Sequence, residues 1–252
     1  MLIQKDILPS GLLFIIQKCI NDNPEIRYQS VNEVANALSS YLKSLSPQEN
    51  PSSAFENLIN IAISNSKLKQ FDKGNVEQII IAVLGFREDS ELFFNKFNEI
   101  PLDILEVVAS DFNELCEQLI EVYSITTHSH FQENTISFSD AELVAGAMIK
   151  IFNGSTDIKI KTEVMKITLF ASVYCNRYSA MADFDKMLLD IKNDQDAFVV
   201  TEMLKENRAD YEQVATRIPT SQLHPTIQIL QKEIQIKEEE ARIKNAEEPF
   251  EW

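Results

Sequence analysis

Glycine is scarce in this chain: five residues among 252, at positions 11, 74, 85, 146 and 154. That is roughly 2% against an average near 7%. Strand-rich folds place turn residues at intervals of about ten positions, so a chain this poor in glycine is steered towards long helices. The apolar pattern agrees. Phe55, Leu58, Ile59, Ala62 and Ile63 form one stripe at three- and four-residue spacing, and Val76, Ile79, Ile80, Val83 and Leu84 form another after Gly74. Such spacing gathers apolar side chains on one helix face.

The same period runs through the rest. Leu12 to Ile20 is an apolar helical run that Pro24 interrupts, because a proline ring clashes with a helix entering it. Ser30 reads as an N-cap with Glu33 at capping-box spacing, ahead of Val31, Val34, Leu38, Tyr41, Leu42 and Leu45 on one face. Leu92, Phe93 and Phe97 make a short element. Pro101 suits the first turn of a long helix carrying Ile104, Leu105, Val108, Phe112, Leu115, Leu119 and Val122. Ile125 to Ser137 is polar and reads as a loop. Ser139, with Glu142 at capping-box spacing, opens a helix faced by Leu143, Val144, Ala147, Met148, Ile151 and Phe152, which Asn153-Gly154 ends. Helical segments then follow from Ile160 to Tyr174, Met181 to Ile191, Ala197 to Leu204 and Tyr211 to Ile218.

The expected fold class is therefore all-α. Segments of about 10–20 residues with short polar breaks suit stacked helical hairpins of the HEAT or armadillo kind. No sequence signature repeats, so an irregular helical bundle is equally allowed. At the C-terminus Leu223, Ile227, Leu230, Ile234, Lys237, Ala241 and Lys244 follow heptad steps, apolar at first and then charged. This predicts a helix that docks through Leu223 to Ile234 and projects beyond, with Lys237 to Glu248 fraying. A monomer, or a weak homodimer through this helix, is expected. Phe250 and Trp252 close the chain as a candidate peptide anchor.

Lys and Arg number 23 against 39 Asp and Glu, a net charge of −16. A polyanion repels such a chain, which argues against nucleic acid, and anionic membrane surfaces are disfavoured for the same reason. A basic protein partner is compatible with it. Cys19, Cys116 and Cys175 are odd in number and far apart, each among apolar neighbours. They read as small buried hydrophobes of a reducing, cytoplasmic protein. No secretory signal pattern is read at the N-terminus, and no apolar run approaches the ~18 residues of a membrane span.

One block carries a resemblance. Leu12-Leu13-Phe14-Ile15-Ile16-Gln17-Lys18-Cys19-Ile20 runs into Asn21-Asp22-Asn23-Pro24-Glu25-Ile26-Arg27-Tyr28-Gln29-Ser30 and then a helix from Val31 to Leu45. This resembles the last block of a eukaryotic-type serine/threonine protein kinase domain, the final helices of the C-lobe, over residues 8–45. In that family the arginine pairs with the glutamate of an Ala-Pro-Glu motif; Arg27 is the matching position. The chain has no glycine-rich loop, His-Arg-Asp, Asp-Phe-Gly or Ala-Pro-Glu motif, so the parts that place ATP, Mg²⁺ and the base are missing. Without its partner Arg27 is expected to be solvated or to pair locally with Glu25 or Glu33. The resemblance implies a kinase C-lobe remnant over 1–45, a linker over 46–51, a helical-repeat-like domain over 52–220 and a charged C-terminal helix and tail over 221–252. The expected role is a non-catalytic protein-interaction or regulatory region C-terminal to a kinase-like domain, in contact with that domain or with a substrate or regulator. The chain is expected to be a piece of such a kinase. The alternatives are a free-standing helical scaffold and a metal-dependent enzyme on a helical bundle.

Other residues point weakly to chemistry. His128-Ser129-His130 can chelate on a strand, where alternate residues share a face, but a metal site needs further ligands, and Asp111, Glu114, Glu133 and Asp140 are near in sequence only; a solvated loop is the alternative. Asp111 with Glu114, and Glu117 with Glu121, are carboxylate pairs that a solvated face explains. No residue set forms a catalytic, cofactor or metal site, so none is assigned. Asn176-Arg177-Tyr178 falls at an interhelical corner with aromatic flanks. It is the candidate protein-contact patch, since Arg and Tyr are favoured anchors; the structural alternative is a corner in which Asn176 caps and Arg177 bonds carbonyls.

Overall fold

The computed structural model describes residues 10–44, 51–67, 72–133 and 137–247. Among the described residues are thirteen α-helices, two 3-10 turns and no strand. The fold is all-α. The chain divides into two compact units, residues 1–126 and 127–252. The boundaries expected at 45, 51 and 220 do not coincide with this division. The first two helices belong to the same unit as those that follow, and the C-terminal helix belongs to the second unit.

The first unit contains α1 (Ser10–Cys19), α2 (Val31–Ser44), α3 (Pro51–Lys67), α4 (Lys73–Leu84), α5 (Ser90–Asn98), α6 (Leu102–Asp111) and most of α7 (Asn113–Gln132). Its centre is α4, which touches α1, α2, α3, α5 and α6. The run Ile79-Ile80-Ile81-Ala82-Val83-Leu84 is apolar all round, and all but Ala82 are buried. A helix without a polar face must be enclosed by others. Asp72 caps its start, accepting from Gly74 N at 2.9 Å. Aromatic rings join α5 to α7: the Phe97 and Tyr123 centroids are 3.7 Å apart, and Tyr123 Oη donates to Asn98 Oδ1 at 3.0 Å.

The second unit contains α8 (Phe138–Gly154), α9 (Ile158–Tyr174), α10 (Tyr178–Asp190), α11 (Asp194–Glu206), α12 (Arg208–Val214) and α13 (Pro225–Glu247). Here α9 takes the central place and touches α8, α10, α11 and α12. Its buried hydroxyls are satisfied within the helix: Thr168 Oγ1 donates to Val164 O and Ser172 Oγ to Thr168 O, both at 2.7 Å. A stack of hairpins passes contacts to neighbours in order. In each unit one helix is enclosed by helices that lie near it in chain order.

The C-terminal segment docks as expected, through Leu223 ahead of α13 and through Ile227, Leu230 and Ile234 on it, all buried. Gln231 is buried with them, and its amide donates to Ile218 O at 2.9 Å and to Ala215 O. Where fraying was expected, the backbone stays helical to Glu247. Ile236 is exposed beyond the docked part.

Several local expectations are corrected. The long helix from Pro101 is two helices, because Phe112 takes φ −131° and ψ 53° and breaks the ladder. Pro101 is the N-cap ahead of that first helix, not part of its first turn. Ile125 to Gln132 is helix, not loop, because Thr126, Thr127 and Phe131 are buried and hold it. The capping box before α8 uses Ser137 and Asp140, two residues earlier than expected. Val31, Leu42, Ile63 and Leu143 are exposed; on α2 Ala37 and Tyr41 are buried. Cys19 is exposed, unlike Cys116 and Cys175. Pro51 opens α3, where its missing N–H leaves no bond unmade; the rest of the expected linker lies outside the described residues.

Candidate functional site

Helix α9 ends at Tyr174 and α10 begins at Tyr178, so the chain turns over three residues. Asn176 takes φ 47°, the one positive φ at a non-glycine among the described residues. Asn tolerates this region because its short polar side chain can bond locally. The turn carries Arg177 to the surface of α8. Arg177 Nη2 lies 2.9 Å from Glu142 Oε1, and its guanidinium carbon lies 5.2 Å from the Phe138 ring centre. Phe138 and Glu142 are one helical turn apart, so one guanidinium meets both. Ser179 Oγ donates to the same Glu142 oxygen at 3.2 Å.

A second arginine repeats the arrangement. Arg217 Nε donates to Asp185 Oδ2 at 3.2 Å, and its guanidinium carbon is 5.9 Å from the Tyr178 ring centre. Burial raises the Asp185 carboxyl above its ordinary range, and Arg217 opposes this. The two aromatic rings remain in solvent: Phe138 is 63% exposed and Tyr178 77%. Burial also raises the Cys175 thiol, against the pull of Arg177. A buried thiol with a raised pKa is a poor nucleophile. The arrangement offers recognition: aromatic faces backed by fixed cations.

Of the expected patch, Arg177 and Tyr178 lie in this arrangement, while Asn176 forms the turn. Arg177 bonds a carboxylate, not the carbonyls of the structural alternative. Phe250 and Trp252 lie outside the described residues. Phe138, Glu142, Asp185 and Arg217 were not anticipated for this patch. The available signal was Phe138, an aromatic outside the apolar face of its helix.

Arg27 pairs with neither Glu25 nor Glu33. Its Nε donates to Asn21 O at 2.6 Å and its Nη2 to Asp22 O at 3.4 Å, so it closes the loop after α1. Glu33 accepts from Gln29 N at 2.9 Å, and Ser30 Oγ accepts from Glu33 N at 3.2 Å. Burial and the Glu77 charge both raise the Tyr28 phenol above its ordinary range. Lys18 Nζ sits 4.5 Å from that ring's centre and 2.6 Å from Glu77 Oε1.

His128 and His130 lie on α7, where residues two apart point to different sides. His128 packs 5.0 Å from Phe170 and contacts Gln132 at 2.8 Å. His224 precedes α13, where its Nδ1 accepts from Thr226 N at 3.3 Å. Asp111 is drawn to Lys73 at 2.7 Å, which holds its carboxyl below the ordinary range. Among the described residues no group of three or more His, Cys, Asp or Glu could hold a metal ion, and no helix is long and apolar enough to cross a membrane.

No family model, curated protein or solved structure matches this chain.

Proposed function

We propose that this chain is a non-catalytic helical region that binds protein and, in its parent, follows a serine/threonine protein kinase-like domain. The observation that carries protein binding is the pair of exposed rings, Phe138 and Tyr178, each backed by an arginine that is itself tied to a carboxylate. Aromatic and Arg side chains dominate interface energetics, and rings held by neighbours lose little freedom on binding. The kinase placement is supported by the block from Leu12 to Leu45, where helix, Asn-Pro-Glu-Ile-Arg loop and helix follow the family order.

The test has two arms. An in-frame His-Arg-Asp, Asp-Phe-Gly and Ala-Pro-Glu series upstream of Met1 is the expected finding, and a stop codon there removes the kinase placement. Hydrogen exchange on the longer chain should show protection at Phe138 and Tyr174 to Tyr178 relative to residues 1–252 alone. Equal exchange removes the parent kinase domain as the partner of this patch.

One observation favours a second reading, a free-standing helical scaffold. Helices α1 and α2 touch α4, burying Leu13, Phe14, Ile15, Ala37 and Tyr41. The block thus has a packing face without a kinase lobe.

A further inference from the structure

A groove of 840 Å³ opens in the first unit where the end of α1 faces α7. That size is in the range of sites that enclose a ligand or a peptide's anchor residues. Of its apolar lining Leu84 is buried, at 2% exposed, while Ile20 and Ile125 are 58% and 67% exposed. The charged lining is mostly acidic. Glu114, Glu117 and Glu121 come from α7 and Asp22 from the loop after α1, with Gln17, Asn21 and Gln118 as neutral amides; among the described residues Arg87 is the one cation of the lining, and it is 3.2 Å from Glu88.

The order on α7 is informative. Glu114, Glu117 and Glu121 are spaced by three and four residues and share one helix face. Gln118, Val122 and Ile125 follow the same steps on the adjoining face. Like charges one turn apart weaken a helix by about 0.2–0.5 kcal/mol per pair. The residues of α7 include no Lys or Arg to offset them. Among the described residues neither Glu117 nor Glu121 has a cationic partner, while Glu114 accepts from Asn21 Nδ2 at 3.1 Å. An acidic stripe beside one that presents Val122 and Ile125 is complementary to a segment with cationic and apolar stripes in the same order.

We propose that this groove binds a basic amphipathic helix of a protein partner, with Lys or Arg against Glu114, Glu117 and Glu121 and apolar side chains against Ile20, Val122 and Ile125. The stripe from Glu114 to Ile125 spans about 16 Å at 1.5 Å per residue, so about three turns of the partner are in contact. Helix-in-groove recognition reads anchors at this spacing. A nucleic acid is repelled by the same carboxylates, and a bare cation leaves the isoleucines uncovered. The groove belongs to the unit that lacks the Phe138–Tyr178 patch, and its occupancy is independent of the kinase placement.

The test uses the full chain and a fluorescein-labelled 12-residue peptide with Lys on one helical stripe and Leu on the next. The controls are a scrambled peptide of the same composition and spermine. Anisotropy should show saturable binding that weakens with salt. The scrambled peptide should bind at least about tenfold more weakly, and spermine should not compete at equal charge. Glu117→Lys with Glu121→Lys should weaken the ordered peptide about tenfold, and Ile125→Asp should do so comparably. Glu206→Lys, at an exposed position in the second unit, should leave it unchanged. Equal binding of the scrambled peptide, displacement by spermine, or equal loss with Glu206→Lys would assign the attraction to net charge and overturn the groove. Insensitivity to the α7 substitutions would do the same.

Discussion

Arg177 reaches from the start of α10 to Glu142 on α8, with 2.9 Å between Nη2 and Oε1. Both side chains are partly in solvent, 36% and 47% exposed, so water screens the pair. A double-mutant cycle of Glu142→Ala and Arg177→Ala should therefore give a coupling of about 0.2–1 kcal/mol in urea unfolding. The larger effect is expected at the surface. Without Glu142 the guanidinium is no longer held over Phe138, so partner binding should fall by more than the stability change accounts for.

The turn at Asn176 can be tested by backbone preference alone. At φ 47° glycine meets no Cβ clash, so Asn176→Gly should be neutral or slightly stabilising. Asn176→Val should cost about 1–2 kcal/mol, read as a lower urea midpoint at unchanged slope. Equal midpoints for the two variants would contradict the left-handed turn.

Two helical glycines should respond in opposite directions. A Cβ on Gly11 would lie 2.9 Å from Tyr41 Cδ2 and 3.0 Å from Cε2, with Ile81 Cγ2 at 3.5 Å. Tyr41 is 7% exposed and has little room to withdraw. Overpacking costs about 1–3 kcal/mol against about 1 kcal/mol gained in helix propensity, so Gly11→Ala should destabilise. A Cβ on Gly146 meets nothing within 4 Å, and Gly146→Ala should stabilise by about 0.5–1 kcal/mol. Thermal unfolding of the two variants gives the signs.

Folding raises the Asp185 carboxyl above its ordinary 3.8, burial outweighing the help of Arg217. The folded chain then holds this proton more tightly than the unfolded chain does. The resulting stabilisation is fully present below the ordinary value and is lost as pH rises through the folded one. Asp185→Asn abolishes the titration. Wild-type stability minus that of the variant should thus fall as pH rises above the ordinary 3.8. A difference that rises with pH would mean that Arg217 outweighs burial.

The helical class was legible because period and glycine scarcity act along the whole chain. Ile79 to Leu84 carries no polar residue, so only burial suits it. The break at Phe112 was not legible, since no Gly or Pro marks it and Phe112 continues the apolar stripe. His128 and His130 misled in the other direction: polar residues suggested a loop, but the buried Thr126, Thr127 and Phe131 keep α7 helical. At the corner, Arg177 and Tyr178 could be read from the sequence. Glu142 and Arg217 could not, because they lie 35 residues before and 40 residues after Arg177 in the chain and meet the corner through tertiary packing. The acidic stripe of α7 was visible as spacing, whereas the cavity beside it depends on where α1 ends.

The enclosure of α4 and α9 has a consequence for how the chain opens. Their amide protons are covered by neighbouring helices on several sides, and peripheral segments can detach without uncovering them. In heavy water these two helices should be the last to take up deuterium. The slowest protons of each unit then report its complete unfolding, which gives two separate stability readings from a single spectrum.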